Sequence, residues 1–398
     1  MTDPVTQSVL IVGASAAGLA TAEALRRFGH TGELTLLDAE RHRPYDRPPL
    51  SKQFLAGTWE THQLQLRDSS RLEELGARWA LGSAAESFDS AGKSVRTADG
   101  RVHQADAVVI ATGLRPRRLP GSVGLSSVHT LRSLDDAVAL RRAMTGPGPG
   151  PVVVVGNGVL GSEIAATAKA GGKEVTLIGS SARPMAGQLG ELASTVLAER
   201  HRAAGIELIG GKRVSAIGGG SSVQEVILDD GSRTRARTVV VAIGSEPETG
   251  WLAGSGLALD DGVVCDPHCR AARNVWAVGD VARWRHPHQD TFVRLENRTN
   301  ASEQAVAVAR DILGLGAPYA PVPYFWSDQF GVRIQVFGSA RPADDEVVAA
   351  GDITGDRFVV TARREGRVVG VVGWGMPKQA RLLSAPLREY DERITAAS

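Results

Sequence analysis

Two glycine-rich turns, each set between a short apolar run and a helix-forming stretch, constrain this chain more than any other feature. The second, "GNGVLG" at 156–161, follows Val152–Val155 and precedes a helix-forming stretch, 162–170, that ends at Gly171 and Gly172. A further apolar run covers 175–178. Gly156, Gly158 and Gly161 fill all three places of the G-x-G-x-x-G pattern. Glycines there permit the tight turn, let the backbone approach a pyrophosphate, and allow close packing of helix on strand. The first turn, "GASAAG" at 13–18, follows apolar 9–12 and precedes a helical stretch, 19–28, closed by Gly29. Ser15 replaces the middle glycine and, with Ala16 and Ala17, keeps the turn small. Asp38 lies twenty residues past Gly18, where an acid binds a ribose hydroxyl.

The two units differ at their far ends. Twenty residues past Gly161 stands Ser181, flanked by Gly179, Ser180, Ala182 and Arg183, with no acid. An acid there would repel a 2′-phosphate, so both NADH and NADPH stay open as donors, and Arg183 either helps hold a phosphate or faces solvent. Two such units imply two dinucleotides. One flavin and one nicotinamide form the economical pair, because a hydride can pass between them. From about 317 the pattern changes to alternating apolar segments such as "VRIQVFG", expected as antiparallel strands. The expected fold class is α/β, with two Rossmann-like dinucleotide-binding domains and a C-terminal α+β interface domain.

The stretch "RPYDRPPLSKQFL" at 43–55 has no cysteine, although many chains of this type carry a redox-active pair in this region. The chain has two cysteines, Cys265 and Cys269, too few for a disulfide framework or a four-cysteine metal site, and no metal is expected. Pro267 between them argues against a helix that would align them, and a redox or metal pair is not the expected reading. A formal net charge of +1 gives no global argument for nucleic acid or an acidic membrane. No apolar run approaches a membrane span, and no signal peptide is read at the N-terminus. A cytoplasmic location is expected.

Taken together, "GASAAG", "RPPLSK", "ATG" at 111–113, "GNGVLGSE", "WAVGD" at 276–280, "ENRTNASEQA" at 296–305 and "YFWSDQF" at 324–330 carry a resemblance over nearly the whole chain. The sequence resembles the single-chain, FAD-dependent NAD(P)H:ferredoxin reductases of cytochrome P450 and aromatic-ring oxygenase systems. These belong to the glutathione-reductase-like flavoproteins. The resemblance implies FAD and NADH or NADPH as cofactors and a [2Fe-2S] ferredoxin as transient partner, with neither nucleic acid nor membrane. It implies that Lys52 lies near the reactive flavin nitrogen, and that Glu163 faces the nicotinamide and can pair with that lysine. Trp326 matches an aromatic beside the flavin on the acceptor side. Further residues implied at the flavin are Gly13, Ser15, Ala16, Ala17, Asp38, Arg47, Ala85, Ala111, Thr112, Gly113, Arg132, Gly279, Asp280, Glu296, Asn297 and Arg298. Those implied at the nicotinamide are Gly156, Gly158, Val159, Leu160, Gly161 and Glu163, and Gly244 is expected to pass close to a cofactor.

The residues taken alone allow plainer roles. Lys52 and Arg132 could be surface side chains, Glu163 a helix N-terminal glutamate, Asp280 an N-cap, and Trp326 core. The expected domains are a split flavin domain at 1–115 and 246–315, a nicotinamide domain at 116–245, and an interface domain at 316–398. "MTGPGPGP" at 144–151 is a breaker-rich loop before the main nicotinamide strand. Ferredoxins are usually acidic, so basic stretches at 115–118 and 283–286, with Arg333, are candidate docking points. Two other readings share these motifs: reduction of a small acceptor such as a quinone or an ascorbate radical, and a nicotinamide-sensing flavoprotein like the apoptosis-inducing-factor group.

Overall fold

The apolar runs beside the two turns become central strands of two parallel sheets in the computed structural model, which describes residues 7–122, 124–146, 150–220, 222–287, 291–340, 343 and 345–387. Part of the breaker-rich loop (147–149), the start of the chain and the end of the expected interface domain lie outside these residues. The chain divides into two compact units.

The first unit comprises Met1–Asp46, Leu64–Arg115 and Glu246–Pro321. Its six-stranded sheet runs Arg270–Ala272, Val275–Ala277, Ala107–Ile110, Ser8–Val12, Glu33–Asp38, Arg78–Leu81. All neighbours are parallel except the first pair. From Ser8–Val12 the chain passes to Glu33–Asp38 on one side and later returns to Ala107–Ile110 on the other. That reversal opens a crevice at the carboxyl ends of the strands. Ile11, Leu36, Val109 and Ile110 are fully buried. Strands covered on both faces need unbroken apolar runs, so the sequence there does not alternate. The helices Ala16–Arg27 and Arg298–Ile312 pack on each other and fill the same core with alanines, including Ala24, Ala305 and Ala309.

One buried carboxylate ties the second of these helices to the sheet edge. Asp311 accepts from Arg270 Nε at 2.6 Å and Nη2 at 2.8 Å, and from the Trp276 indole at 2.7 Å.

The second unit comprises Arg47–Gln63, Pro116–Ser245 and Val322–Ser398. Its five-stranded sheet runs Glu207–Gly210, Val175–Gly179, Val152–Val155, Thr238–Val241, Val128–His129, all parallel. The strand reversal recurs here, between Val152–Val155 and Thr238–Val241. An antiparallel sheet of Tyr324–Gln329, Val332–Gly338, Arg367–Trp374, Arg357–Arg364 and Asp345–Asp352 belongs to the same unit. Its period-2 alternation sends Phe358 and Val360 to one face and Val359 to the other. The first face packs on Met185, Leu189, Ala193 and Leu197 of the region Ala186–Ala203 and its cap, and the second on the Pro377–Leu383 helix.

The Ala186–Ala203 helix is kinked at Gly190, and Glu346 of the antiparallel sheet accepts the N–H groups of Glu191 and Leu192 at 2.7 and 2.9 Å. This shared core explains why residues 116–245 and the C-terminal sheet fall into one unit. The unit boundaries differ from the expected division in two further respects: Arg47–Gln63 groups with the second unit, and the first unit runs on to Pro321. Near the other end of the kinked helix His201 is fully buried, edge-on to Phe330, with its Nε2 3.2 Å from Gln329 Oε1.

Two stability effects follow. Asp311→Ala leaves the buried Trp276 N–H without its acceptor and should cost about 2–3 kcal/mol, measured by denaturant unfolding. Burial holds the His201 pKa down to about 4 from its ordinary 6.5. The unfolded chain therefore takes up a proton below pH 6.5 that the folded chain refuses until about pH 4, and stability falls across that window as pH drops. Between pH 7 and pH 5 the native protein should lose about 2 kcal/mol more than His201→Gln. Equal losses in both proteins would refute this assignment.

Candidate functional site

In the first unit the strand Ser8–Val12 ends at Gly13, with φ +107°. A Cβ there would lie 2.2 Å from the Ala111 carbonyl oxygen, so the ends of two neighbouring strands meet at a point no side chain can share. Ala14 N donates to Asp38 Oδ2 at 2.5 Å and Glu40 N donates to Oδ1 at 2.8 Å, which anchors the acid at the end of its strand. Ser15 is the N-cap of the Ala16–Arg27 helix and makes no side-chain capping bond. The leading N–H groups of that helix, including those of Ala16 and Ala17, point past the turn. Gly279 N donates to Gln304 Oε1 at 2.8 Å, and a Cβ on Gly279 would come within 2.9 Å of Ala17 Cβ. Gly13, Ser15, Ala16, Ala17, Asp38, Ala111, Thr112, Gly113, Gly279 and Asp280 thus lie at the carboxyl ends of neighbouring parallel strands. Thr112 Oγ1 donates to the Glu248 carbonyl at 2.8 Å. A helix N-terminus, small residues and an acid at the end of the neighbouring strand fit a dinucleotide.

The remaining first-unit candidates have local duties as well. Asn297 caps the Arg298–Ile312 helix, its side chain accepting from Asn300 N at 2.7 Å. Arg298 holds Asp46 at 2.8 Å, and Glu296 pairs with Arg294 at 2.6 Å. Ala85 opens a separate three-stranded sheet, opposite Thr97.

The second unit repeats the turn geometry. Gly156 has φ +110°, and a Cβ there would lie 2.1 Å from the Ala242 oxygen. Gly158 caps the Val159–Ala170 helix, so Val159, Leu160 and Gly161 form its first turn. Arg117 N donates to the Gly244 oxygen at 3.0 Å, beside the same strand end. Asn157, which the sequence analysis did not single out, donates through Nδ2 to the Ser181 oxygen at 2.7 Å and the Arg183 oxygen at 3.4 Å. Its side chain fills the space a Cβ on Gly179 would need. The one available signal was an amide between two glycines facing a glycine-ended strand. Arg183, one of the residues beside the missing acid, pairs with Glu191 at 3.4 Å and donates to Ser194 Oγ at 3.2 Å.

The chemistry-bearing cluster of this unit is Lys52 with Glu163. The Pro48–Ser51 turn delivers Lys52 to the Val159–Ala170 helix, and Thr167 Oγ1 fixes the Ser51 carbonyl at 2.8 Å. Lys52 Nζ lies 2.6 Å from Glu163 Oε2, and the two side chains are 12% and 5% exposed. Ser51 Oγ donates to the same oxygen at 2.6 Å, and Ser327 Oγ donates to Oε1 at 2.8 Å. Neither serine was singled out from the sequence, since a serine beside a lysine or in a strand has no distinctive pattern. Trp326 precedes Ser327 and points to the other face of its strand, where it is half-buried and stacks with Tyr324 at 6.1 Å between ring centroids. Arg47 Nη1 donates to the Arg132 carbonyl at 2.7 Å, and Arg132 N donates to Asp136 at 2.9 Å, just before a helix capped by Ser133.

Both cysteines are free and buried. Burial pushes the Cys265 thiol well up and the Cys269 thiol to about 12, so both sulfurs stay protonated and unreactive. Three of the candidate docking arginines already carry acids: Arg115 with Glu246, Arg283 with Asp260 and Arg333 with Asp328. Among the described residues no helix is long and apolar enough to cross a membrane.

Comparison with known proteins agrees with this geometry. Residues 7–305 match the pyridine nucleotide-disulphide oxidoreductase family, and residues 324–396 match a reductase C-terminal domain. A probable ferredoxin reductase, CtmF, of Castellaniella defragrans is 36% identical over 371 residues, covering 92% of this chain and 90% of that protein. A rubredoxin-NAD(+) reductase of Ectopseudomonas oleovorans is 34% identical, covering 96% and 100%. Putidaredoxin reductase, solved as a covalent complex with putidaredoxin, superposes with a TM-score of 0.91 at 29% identity and 99% coverage of both chains. With two glycine-turn units, a paired Lys52 and Glu163 and a matching C-terminal sheet, the chain belongs to the pyridine nucleotide-disulphide oxidoreductase family, in its ferredoxin-reductase branch.

Proposed function

We propose that this protein passes electrons from NADH or NADPH, through bound FAD, to a [2Fe-2S] ferredoxin that feeds a cytochrome P450 or ring oxygenase. The observation that carries this reading is the buried Lys52–Glu163 pair in the place where thiol-using relatives hold cysteines. The first unit's turn, with Gly13, Ser15, Ala16, Ala17 and Asp38, would hold FAD, together with Ala111, Thr112, Gly113, Gly279 and Asp280. Arg47, Ala85, Arg132, Glu296, Asn297 and Arg298 complete that set in this reading. Gly156, Gly158, Val159, Leu160 and Gly161 would hold the nicotinamide cofactor, with Gly244 beside them. The domain division follows: 1–115 and 246–315 for the flavin, 116–245 for the nicotinamide, 316–398 for the interface.

Bound FAD would supply a centre that accepts a hydride, two electrons at once, and returns them singly to two one-electron carriers. The protein's own part is positioning and electrostatics. Lys52 supplies positive charge where negative charge develops on the flavin ring. Glu163 orients that ammonium and faces the nicotinamide. Trp326 stands on the acceptor side. NADH and NADPH both stay open as donors, since no acid stands at position 181 and Arg183 makes only a partly exposed ion pair with Glu191. The partner is recognised by charge at exposed arginines such as Arg117 and Arg118. The protein is read as cytoplasmic.

Stopped-flow mixing of the flavin-loaded protein with NADH and with NADPH tests this reading. Rapid flavin bleaching with at least one of these donors is expected, followed by reoxidation by a [2Fe-2S] ferredoxin faster than by quinones or air. Preference for a quinone would favour the small-acceptor reading, and a long-lived, unreactive reduced complex would favour the sensor. Lys52→Met should slow bleaching or weaken nicotinamide binding by about tenfold or more while FAD is retained. Unchanged reductive kinetics in that variant would remove Lys52 from the mechanism.

A further inference from the structure

Glu163 is the end point of a buried chain of side chains that reaches into the core of the second unit. Ser327 Oγ is 2.8 Å from Glu163 Oε1, Gln329 Nε2 is 2.9 Å from Ser327 Oγ, and Gln329 Oε1 is 3.2 Å from His201 Nε2. Ser327, Gln329 and His201 are 0%, 3% and 0% exposed. The direction of every hydrogen bond follows from what each group can do. The carboxylate can only accept, so the Ser327 hydroxyl donates to it. That spends the hydroxyl hydrogen, and the serine oxygen accepts from the Gln329 amide nitrogen. The same nitrogen lies 3.4 Å from Met185 Sδ, an acceptor only, which fixes the amide in this orientation. The amide oxygen then needs a donor, and His201 Nε2 must carry the hydrogen. His201 Nδ1 is buried with no hydrogen-bond partner among the described residues, which suits a nitrogen without a hydrogen.

We propose that Ser327, Gln329 and His201 are positioning residues: they form a one-way chain of donors that sets the Glu163 carboxylate and leaves it a single open lone-pair site for a donor on the nicotinamide ring. A carboxylate has about four acceptor sites. Ser327 takes one on Oε1, and Ser51 and Lys52 take two on Oε2. The fourth, on Oε1, is the one whose direction Ser327 controls. Burial of His201 keeps the imidazole neutral near pH 7, so the chain has one stable polarity. Its length is also economical in sequence, since Ser327 and Gln329 share one face of a strand and deliver the constraint from the C-terminal sheet to the Val159–Ala170 helix.

This inference rests on the proposed role of Glu163 toward the nicotinamide, and the test separates the two. The oxidised, FAD-loaded protein is titrated calorimetrically with NAD+ and with ADP-ribose, which lacks the nicotinamide ring. Glu163→Ala should weaken NAD+ and leave ADP-ribose unchanged. Ser327→Ala and Gln329→Leu should do the same, weakening NAD+ about fivefold, and His201→Phe about twofold. Ser327→Thr, which keeps the hydroxyl, should restore NAD+ binding. If Glu163→Ala separates the two ligands while Ser327→Ala and Gln329→Leu bind NAD+ normally, the positioning chain is refuted. Equal weakening of NAD+ and ADP-ribose in those two variants would also refute it, as a role in the fold alone. If Glu163→Ala fails to separate the ligands, the role of Glu163 itself falls and takes the inference with it.

Discussion

The close approach of strand ends at Gly13 and Gly156 is the constraint on which the rest of the structure depends. At each point the backbone comes so near a neighbouring carbonyl, Ala111 or Ala242, that even a methyl group would overlap it. The contact brings the first strand's exit beside the returning strand at the reversal of the sheet. It also starts the following helix at once, so that its unpaired N–H groups face the crevice. Larger residues at either position would push apart the strands that define the site. The two glycine turns are therefore the tightest backbone contacts at the sheet reversals and, in the function proposed above, the ligand cradles.

A second constraint decides what chemistry the cradles can support. The chain keeps only two thiols, and burial raises both thiol pKa values, so neither offers a thiolate. At the segment that could have carried a redox pair, a proline-initiated turn presents Lys52 to Glu163 instead. A fixed ammonium–carboxylate pair can hold charge and orient a bound ring, and it cannot store electrons. Electrons entering such a protein must leave from the cofactor itself, which suits a one-electron carrier as the acceptor.

Much of this was legible in the sequence because the residues concerned are forced by backbone geometry. The glycines at 13 and 156 announce themselves, as does the acid at 38, and the alternation in "VRIQVFG" reads as a two-faced strand. What stayed hidden depends on contacts between residues distant in the chain. Ser51, Ser327, Gln329 and Asn157 are ordinary polar residues until folding puts Ser51 and Ser327 against Glu163, Gln329 against Ser327, and Asn157 against a loop carbonyl. Arg183 read as either a solvent residue or a phosphate ligand, because its partner Glu191 sits on a helix whose kink the sequence does not disclose. The grouping of the C-terminal sheet with the nicotinamide-type sheet likewise comes from a shared core built around Leu189, Leu197, Phe358 and Trp374.

The central claim is that electrons pass from nicotinamide to a one-electron acceptor with no thiol on the route. It is tested most directly by following reduction of a [2Fe-2S] ferredoxin by the flavin-loaded Cys265→Ala/Cys269→Ala double variant with NADH as donor. Ferredoxin reduction within about twofold of the native rate is expected, since neither sulfur takes part. Loss of ferredoxin reduction, with flavin content and the rate of flavin bleaching by NADH unchanged, would contradict the account.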